Sequence, residues 1–173
     1  MTHLKKTRAL SLALLCLMVL GSMVSFAQKQ LKTAPAQPPV VRVTLSGMVE
    51  REGERIPMDK VSSVKPGEIL DWDIISENQG SAPAHQYKAV GQIPRGTQLE
   101  AGSVTSDGSA VVTYSIDNGK AFSPQPTIDE KQPDGSTRQV PAPVSMYTQI
   151  RYEWADPLAQ GSKLNASYKV RVK

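Results

Sequence analysis

The last eleven residues of the chain, KLNASYKVRVK, alternate strictly between polar and apolar side chains. A period of two is the period of a β-strand with one buried face, because successive side chains of a strand point to opposite sides of the sheet. Such a strand is stable only when other strands or a second sheet cover its apolar face. The predicted inward side chains are Leu164, Ala166, Tyr168, Val170 and Val172, and the outward ones are Lys163, Asn165, Ser167, Lys169 and Arg171.

The same alternation recurs along most of the chain. Three further segments have apolar faces formed by Val41, Val43, Leu45 and Val49, by Leu70, Trp72, Ile74 and Ser76, and by Met146, Thr148, Ile150, Tyr152 and Trp154. HQYKAVGQIP and AVVTYSI are shorter strand candidates, and TQLEAGSV is a weaker one. No segment after the N-terminal apolar run has a helical period. About seven short strands predict an all-β fold, an immunoglobulin-like antiparallel β-sandwich in a single domain.

Turn-forming residues separate these segments. Asn118 and Gly119 tolerate positive φ angles, so they predict a two-residue hairpin turn that places Asp117 opposite Lys120. KPGE at 65–68 and NQGSAPA at 78–84 are also turn sequences, and EREGER at 50–55 predicts a solvated hairpin tip centred on Gly53.

The N-terminus has the layout of a secretory signal peptide. Three basic residues precede an apolar run from Ala9 to about Val24, and small residues at Ser25 and Ala27 favour cleavage after Ala27. An uncleaved membrane anchor is the alternative. We do not expect a lipoprotein, because large leucines rather than small residues precede Cys16, the only cysteine. The predicted organisation is a signal peptide at 1–27, a proline-rich linker at 28–39 and the sandwich domain at 40–173.

Removing residues 1–27 leaves a nearly neutral protein. Three of the 20 basic residues lie in that segment, so 17 basic and 16 acidic residues remain. A nucleic-acid partner needs a concentrated basic face, which this balance does not favour. The remainder also has no cysteine for a disulfide or thiolate metal site and no apolar run long enough for a transmembrane segment. We therefore expect a periplasmic, extracellular or cell-surface protein.

One long segment does not fit the strand pattern. Residues 123–143 contain five prolines and few apolar side chains. A connection of this length inside a compact domain is usually functional or disordered. If the protein recognises a partner through a loop, this segment is the first candidate.

Few residues have the chemistry or spacing of a catalytic or metal site. His85 is the only histidine after residue 27, so a second imidazole for zinc is lacking. Asp71 and Asp73 share one strand face, but they alternate with apolar residues and are expected on the outer face. The segment 129–135, DEKQPDG, has three acidic residues without the spacing of a helix-flanked calcium loop. Hence no catalytic, cofactor or metal residue is assigned.

Aromatic residues offer another possibility, a sugar-stacking platform. Trp72, Trp154, Tyr114 and Tyr152 are the candidates. Their inward phase favours positions in the core, where aromatic side chains bury a large area.

A series of motifs links these turns and strands in one order. The series comprises the turn Pro66, Gly67 and Glu68, the strand residue Trp72, the turn Asn78 and Gly80, and the step Pro94 and Gly96. With TYSIDNGKAF and the C-terminal strands, the series resembles the conserved repeat domain of bacterial envelope and surface proteins, domain of unknown function eleven. The resemblance covers about residues 40–173. Gly91 stands where that family usually has an acidic residue, and Gln160 replaces a usual proline.

The resemblance implies an immunoglobulin-like sandwich that serves as a spacer, adhesive or structural unit, here in a single copy. We therefore expect a non-catalytic exported module with an envelope protein or glycan partner. The alternatives are a carbohydrate-binding module and a small hydrolase that uses Asp71, Asp73 and His85. The outward basic residues Lys163, Lys169, Arg171 and Lys173 are expected to protect a sheet edge from aggregation.

Overall fold

The computed structural model describes residues 38–173, and this part of the chain contains strands, turns and no α-helix. The predicted signal peptide with Cys16 and Ala27 lies outside the described residues, as does most of the linker at 28–39. The strands are β1 (Val41–Arg51), β2 (Glu54–Pro57), β3 (Ile69–Asn78), β4 (Lys88–Gln92), β5 (Thr97–Leu99), β6 (Thr105–Ser106), β7 (Ala110–Ser115), β8 (Thr127–Lys131), β9 (Thr137–Pro141), β10 (Gln149–Trp154) and β11 (Lys163–Val172). Two short 3-10 turns lie at Met58–Lys60 and Val144–Met146.

The strands form two facing sheets and a separate ribbon. The first sheet has the order β2-β1-β3-β11-β5, with β6 also paired to β11, and the second has the order β4-β10-β7. Within residues 38–173, strands β8 and β9 pair only with each other. All pairings are antiparallel. The predicted single-domain, all-β sandwich is confirmed.

The position of the last strand distinguishes this strand order from that of a constant-type immunoglobulin domain. The last strand, β11, lies between β3 and β5 in the sheet of the first strand. In a constant-type immunoglobulin domain, the last strand joins the other sheet. The strand count also exceeds seven, because several connections contain short strands of their own.

The core lies between the two sheets. The predicted inward faces of β3, β10 and β11 are confirmed at Ile74, Ile150 and Val170, which are all buried. Burying a side chain of this size contributes about 1.5–3 kcal/mol to stability. Other core side chains are Val49, Leu70, Ala89, Ile93, Leu99, Tyr152, Trp154, Ala166 and Tyr168.

Two buried tyrosines connect the facing sheets through their hydroxyl groups. Tyr152 on β10 donates a hydrogen bond to the Ser167 carbonyl on β11 at 3.0 Å. In the reverse direction, Tyr168 on β11 donates to the Gln92 carbonyl on β4 at 2.6 Å. Each ring thus fills the core, while its polar end satisfies a backbone acceptor of the opposite sheet.

Gly91 makes room for one of these rings. A Cβ atom at this position would lie 2.5 Å from Cε1 of Tyr168, closer than real Cβ contacts. Any side chain on Gly91 would therefore displace the ring. This packing gives a physical reason for a glycine at this position.

The prediction that Val43 and Leu45 are buried is wrong. Both lie on the same face of β1 as the buried Val49, yet 55% and 56% of their surface is exposed. The second sheet has three strands and the first has six, so it does not cover the N-terminal half of β1.

The expected protective role of the basic residues on β11 is also wrong, because β11 is an interior strand rather than an edge. Lys163, Lys169 and Arg171 instead form ion pairs on the outer face. Their partners are Glu77, Asp71 and Glu100, at 3.5, 3.7 and 2.8 Å. Lys173 follows the strand, and its backbone amide bonds the Gly96 carbonyl.

The turns agree with the predictions in part. Glu52 and Gly53 have positive φ angles and close the β1–β2 hairpin, as predicted for EREGER. Asn118 and Gly119 also have positive φ angles, but they do not form a two-residue hairpin. The next pairing joins Tyr114 to Ser123, so a longer loop intervenes.

That loop is held together by an acidic side chain. The Asp117 carboxylate accepts hydrogen bonds from the backbone amides of Lys120 and Ala121 and from the Ser115 hydroxyl. These bonds, led by that of Ala121, hold the pKa of Asp117 below its usual value.

Met146 was predicted on the inward face of a strand, and this is wrong. It lies in the 3-10 turn Val144–Met146 and is exposed. The amide of Met146 bonds the Pro143 carbonyl, so the chain turns here and the strand begins later, at Gln149.

We expect Gly91→Ala to lower the free energy of unfolding by about 1–3 kcal/mol, because the added methyl group overpacks the core against Tyr168. Urea denaturation measures this change. In a Tyr168→Ala background, the same substitution should cost clearly less, since the ring is absent. An equal cost in both backgrounds would show that this contact does not limit residue 91.

Alkaline pH should destabilise the fold through the buried tyrosines. Burial raises the pKa of Tyr168 to about 12 and also raises the pKa of Tyr152. A free tyrosine has a pKa of about 10, so the unfolded chain loses these protons first. The stability that the two protonated phenols contribute is fully present below about pH 10, and it is lost as the pH rises towards about 12.

Melting temperatures measured across this range test the effect. The double variant Tyr152→Phe and Tyr168→Phe, which lacks both phenols, should show a shallower decline than the parent. An equally steep decline would assign the alkaline loss of stability to other groups.

Candidate functional site

The structure does not bring together the three residues of the hydrolase alternative. Asp71 lies on the outer face of β3, as predicted, and its Oδ2 atom pairs with Arg55 at 2.9 Å and Lys169 at 3.7 Å. Asp73 follows on the same face, opposite Ser46 and Ser167 on the neighbouring strands. The first carboxylate is therefore engaged in ion pairs that bridge β2, β3 and β11.

His85 lies towards the other end of β3. Its neighbour Ala84 pairs with Leu158, whose carbonyl accepts a hydrogen bond from the side chain of Asn78, the last residue of β3. Seven residues of extended strand separate Asp71 from Asn78, a distance of about 23 Å. His85 is exposed and follows Ala84 at the Asn78 end of β3, whereas Asp73 lies five strand residues, roughly 17 Å, from Asn78.

The acidic segment 129–135 does not form a calcium loop. Asp129 and Glu130 are consecutive residues of β8, so their side chains point to opposite faces of the ribbon. Asp134 accepts bonds from the amide and hydroxyl of Ser136, which lower its pKa. Between residues 38 and 173, no cluster of three or more His, Cys, Asp or Glu side chains is placed to hold a metal ion.

The candidate sugar-stacking residues belong to the core. Tyr152 and Trp154 are buried and stack on each other, with ring centroids 6.0 Å apart. Trp72 and Tyr114 are half-buried and pack against the same core. The four rings thus face inward, as their phase predicts.

The Asn78 motif forms a buried polar junction. The Asn78 side chain is fully buried, and its oxygen accepts hydrogen bonds from the amides of Val40 and Gly80. Its nitrogen donates to the carbonyls of Ala82 and Leu158. One side chain therefore joins the start of the domain to two later loops, which is a structural role.

The Pro-Gly-acidic turn has a similar role. The Glu68 carboxylate receives two bonds from the Arg51 guanidinium, at 2.7 and 3.1 Å, and one from the Lys65 amide at 2.7 Å. The bond with Arg51 is the main reason that the pKa of Glu68 is lowered. This ion pair fixes the entry to β3 against the end of β1.

The ribbon of β8 and β9, which we call the arm (residues 127–141), is largely exposed. Strand pairing extends from Thr127 opposite Pro141 to Lys131 opposite Thr137. Only Ile128 and Val140, which face each other across the ribbon, are half-buried among the paired residues. Both outer edges and most of both faces of the arm are open to solvent.

The base of the arm is fixed to the domain. Pro126 and Ala142 are buried, and the Ala142 amide bonds the Pro126 carbonyl at 2.8 Å. Beyond the base, Val144 and Tyr147 pack against the core, and Tyr147 stacks on Tyr114. The arm therefore leaves the sandwich at a defined position.

The tip of the arm is a compact turn. The Gly135 amide bonds the Gln132 carbonyl, and the Gln132 amide bonds the Ser136 carbonyl. Gly135 has a φ of 83°, the left-handed conformation that glycine adopts readily. Pro133 and Asp134 occupy the middle of this turn, a tight turn followed by a glycine bulge.

The sequence contains a signal for the arm that the strand analysis does not use. The tripeptide Pro133-Asp134-Gly135 is turn-forming, and the strands TIDEK and TRQVP flank it. Judged by composition alone, the five prolines of residues 123–143 favour a loop. Four of them lie at or beyond the strand ends, and the fifth lies in the turn, where they interrupt no pairing.

No helix of the described part of the chain is long and apolar enough to cross a membrane. Neither the family models nor the curated proteins nor the solved structures with which the chain was compared include a match.

Proposed function

We propose that this chain is an exported, non-catalytic module of the bacterial envelope or cell surface, and that it recognises a protein partner through the arm. The observation that carries the proposal is an ordered hairpin with exposed faces and a fixed base. An isolated two-stranded ribbon gains little stability from burial, so contact with a partner is a physical reason for its extension into solvent.

The surface of the arm is better suited to a protein than to a glycan. Within the described part of the chain, the outer edges of both strands have no pairing strand, so an extended segment of a partner can add there by backbone hydrogen bonds. Glu130 lies opposite Arg138, and Asp129 and Lys131 lie on the other face, so both signs of charge are available. Sugar recognition uses exposed aromatic rings, and the four aromatic candidates face the core.

The sandwich serves as the support in this proposal. A signal peptide at 1–27 and a proline-rich linker at 28–39 would place the domain in the periplasm or at the cell surface. The resemblance to the conserved repeat domain of envelope proteins favours the same compartment and the same non-catalytic role.

Replacing residues 127–141 with a short Gly-Ser linker between Pro126 and Ala142 tests the role of the arm. The core and the base contact do not involve the removed residues, so we expect a nearly unchanged melting temperature. In a pull-down from envelope extract, the shortened protein should lose the partners that the parent retains.

Two charge-removal variants provide a matched comparison. Glu130→Ala with Arg138→Ala removes facing charges on the arm, and Glu77→Ala with Lys163→Ala removes a facing pair on the outer sheet surface. We expect the first double variant to weaken partner retention and the second to leave it unchanged. Equal retention by the parent and the shortened protein would contradict the proposal and place recognition elsewhere.

A further inference from the structure

The N-terminal half of β1 forms an unpaired sheet edge. β1 pairs with β3 along one side from Val41 to Val49, but on its other side β2 pairs only from Met48 to Arg51. Within residues 38–173, no strand pairs with the outer side of residues 41–47. We call this stretch the free edge.

The free edge is unusually apolar. Seven large apolar side chains are exposed in the described part of the chain, and four of them lie on or beside this edge. They are Val40, Val43, Leu45 and Ile75. Val43 and Leu45 belong to the inward face of the sheet, opposite the buried Ser76 and Ile74. The surface that Val43 and Leu45 form is thus the uncovered continuation of the core, whereas Ile75 lies on the outer face, opposite Thr44.

The backbone of the free edge is oriented for strand pairing. The Val40 carbonyl accepts a hydrogen bond from the Gln79 amide, so the even residues of β1 direct their backbone groups towards β3. In an antiparallel ladder, this direction alternates from residue to residue. The amides and carbonyls of Val41, Val43 and Leu45 therefore face away from β3.

Other edges of the sandwich are shorter or partly paired. At the far side of the first sheet, β5 has three residues and β6 has two. In the second sheet, the edge of β7 is bridged by Ser123, which exchanges two backbone hydrogen bonds with Tyr114. The free edge has only Arg42 as a charge and no proline or bulge, so the usual protection against strand pairing is weak.

We propose that the free edge pairs with the free edge of a second copy of this chain. Antiparallel pairing about a two-fold axis at Thr44 joins the two first sheets into one continuous sheet. The register is limited at one end by Pro39, which has no amide, and at the other by Met48, which β2 already pairs. Residues 41–47 are the segment between these limits.

The sequence of the free edge is complementary to itself in this register. Val43 of each copy lies opposite Leu45 of the other on the uncovered inward face, so four exposed apolar side chains cover one another. On the outer face, Arg42 lies opposite Ser46 and not opposite a second arginine. Cross-strand apolar pairs stabilise a sheet, whereas facing like charges destabilise it.

Sedimentation of the purified chain over a range of concentrations tests the proposal. The mean mass should rise from one copy towards two. Leu45→Lys places a charge opposite Val43 of the other copy and should weaken association by about tenfold or more. Val111→Lys is the matched control, because Val111 is 59% exposed on β7 of the other sheet, and it should associate as the parent does.

Disulfide trapping tests the register in the folded protein. Thr44→Cys, in a Cys16→Ala background, should form a covalent dimer on oxidation, because residue 44 faces itself at a Cβ separation of about 4.5–5.5 Å. Arg42→Cys should not, because its two copies are four residues apart along the pairing, roughly 13 Å. Melting temperatures near that of the parent identify variants that fold.

Three results would overturn the proposal. They are a single-copy mass at every concentration, association that Leu45→Lys leaves intact, and a dimer that Thr44→Cys does not trap. If the free edge instead binds a strand of another protein, the purified chain keeps a single-copy mass at every concentration, and the proposal is wrong.

Discussion

The hydroxyl of Tyr168 crosses the sandwich to a backbone carbonyl of the opposite sheet, and the hydroxyl of Tyr152 makes the reverse connection. These two side chains tie the sheets together, because each ring fills the core while its hydroxyl bonds a backbone carbonyl of the opposite sheet. Gly91 is a consequence of the same constraint, since the ring of Tyr168 occupies the space of a side chain there. Burial raises the pKa of both phenols, so both remain hydrogen-bond donors at a pH at which a free tyrosine ionises.

The unequal width of the two sheets determines which surfaces are available for recognition. Three strands cannot cover six, so the core continues into solvent at Val43 and Leu45. The arm leaves the molecule separately, from a base that Pro126 and Ala142 fix by their burial. We propose different binding roles for the two surfaces: the free edge pairs two copies of the chain, and the arm contacts another protein.

Strand positions and inward faces were predictable where the alternation is strict and the strand is central, as for Ile74 and Tyr168. The same alternation failed for Val43 and Leu45, because coverage depends on the width of the opposite sheet, which no local pattern contains. The outer position of Asp71 and Asp73 followed from the two-residue period of β3, because both alternate with inward apolar residues. Their separation from His85 depends on the pairing of Ala84 with Leu158, a contact between distant parts of the sequence. The arm was missed because proline content outweighed the Pro133-Asp134-Gly135 turn and its flanking strands.

Native-state hydrogen exchange, resolved by residue, tests most directly whether the tyrosines make one cooperative unit of the two sheets, with the arm attached only at its base. We expect the amides of β3, β10 and β11 to share the slowest exchange, because they open only when the whole domain unfolds. Amides of β8 and β9 should exchange much faster, by local opening of the arm. Protection of the arm equal to that of the sandwich, or exchange of β10 well before β11, would contradict the account.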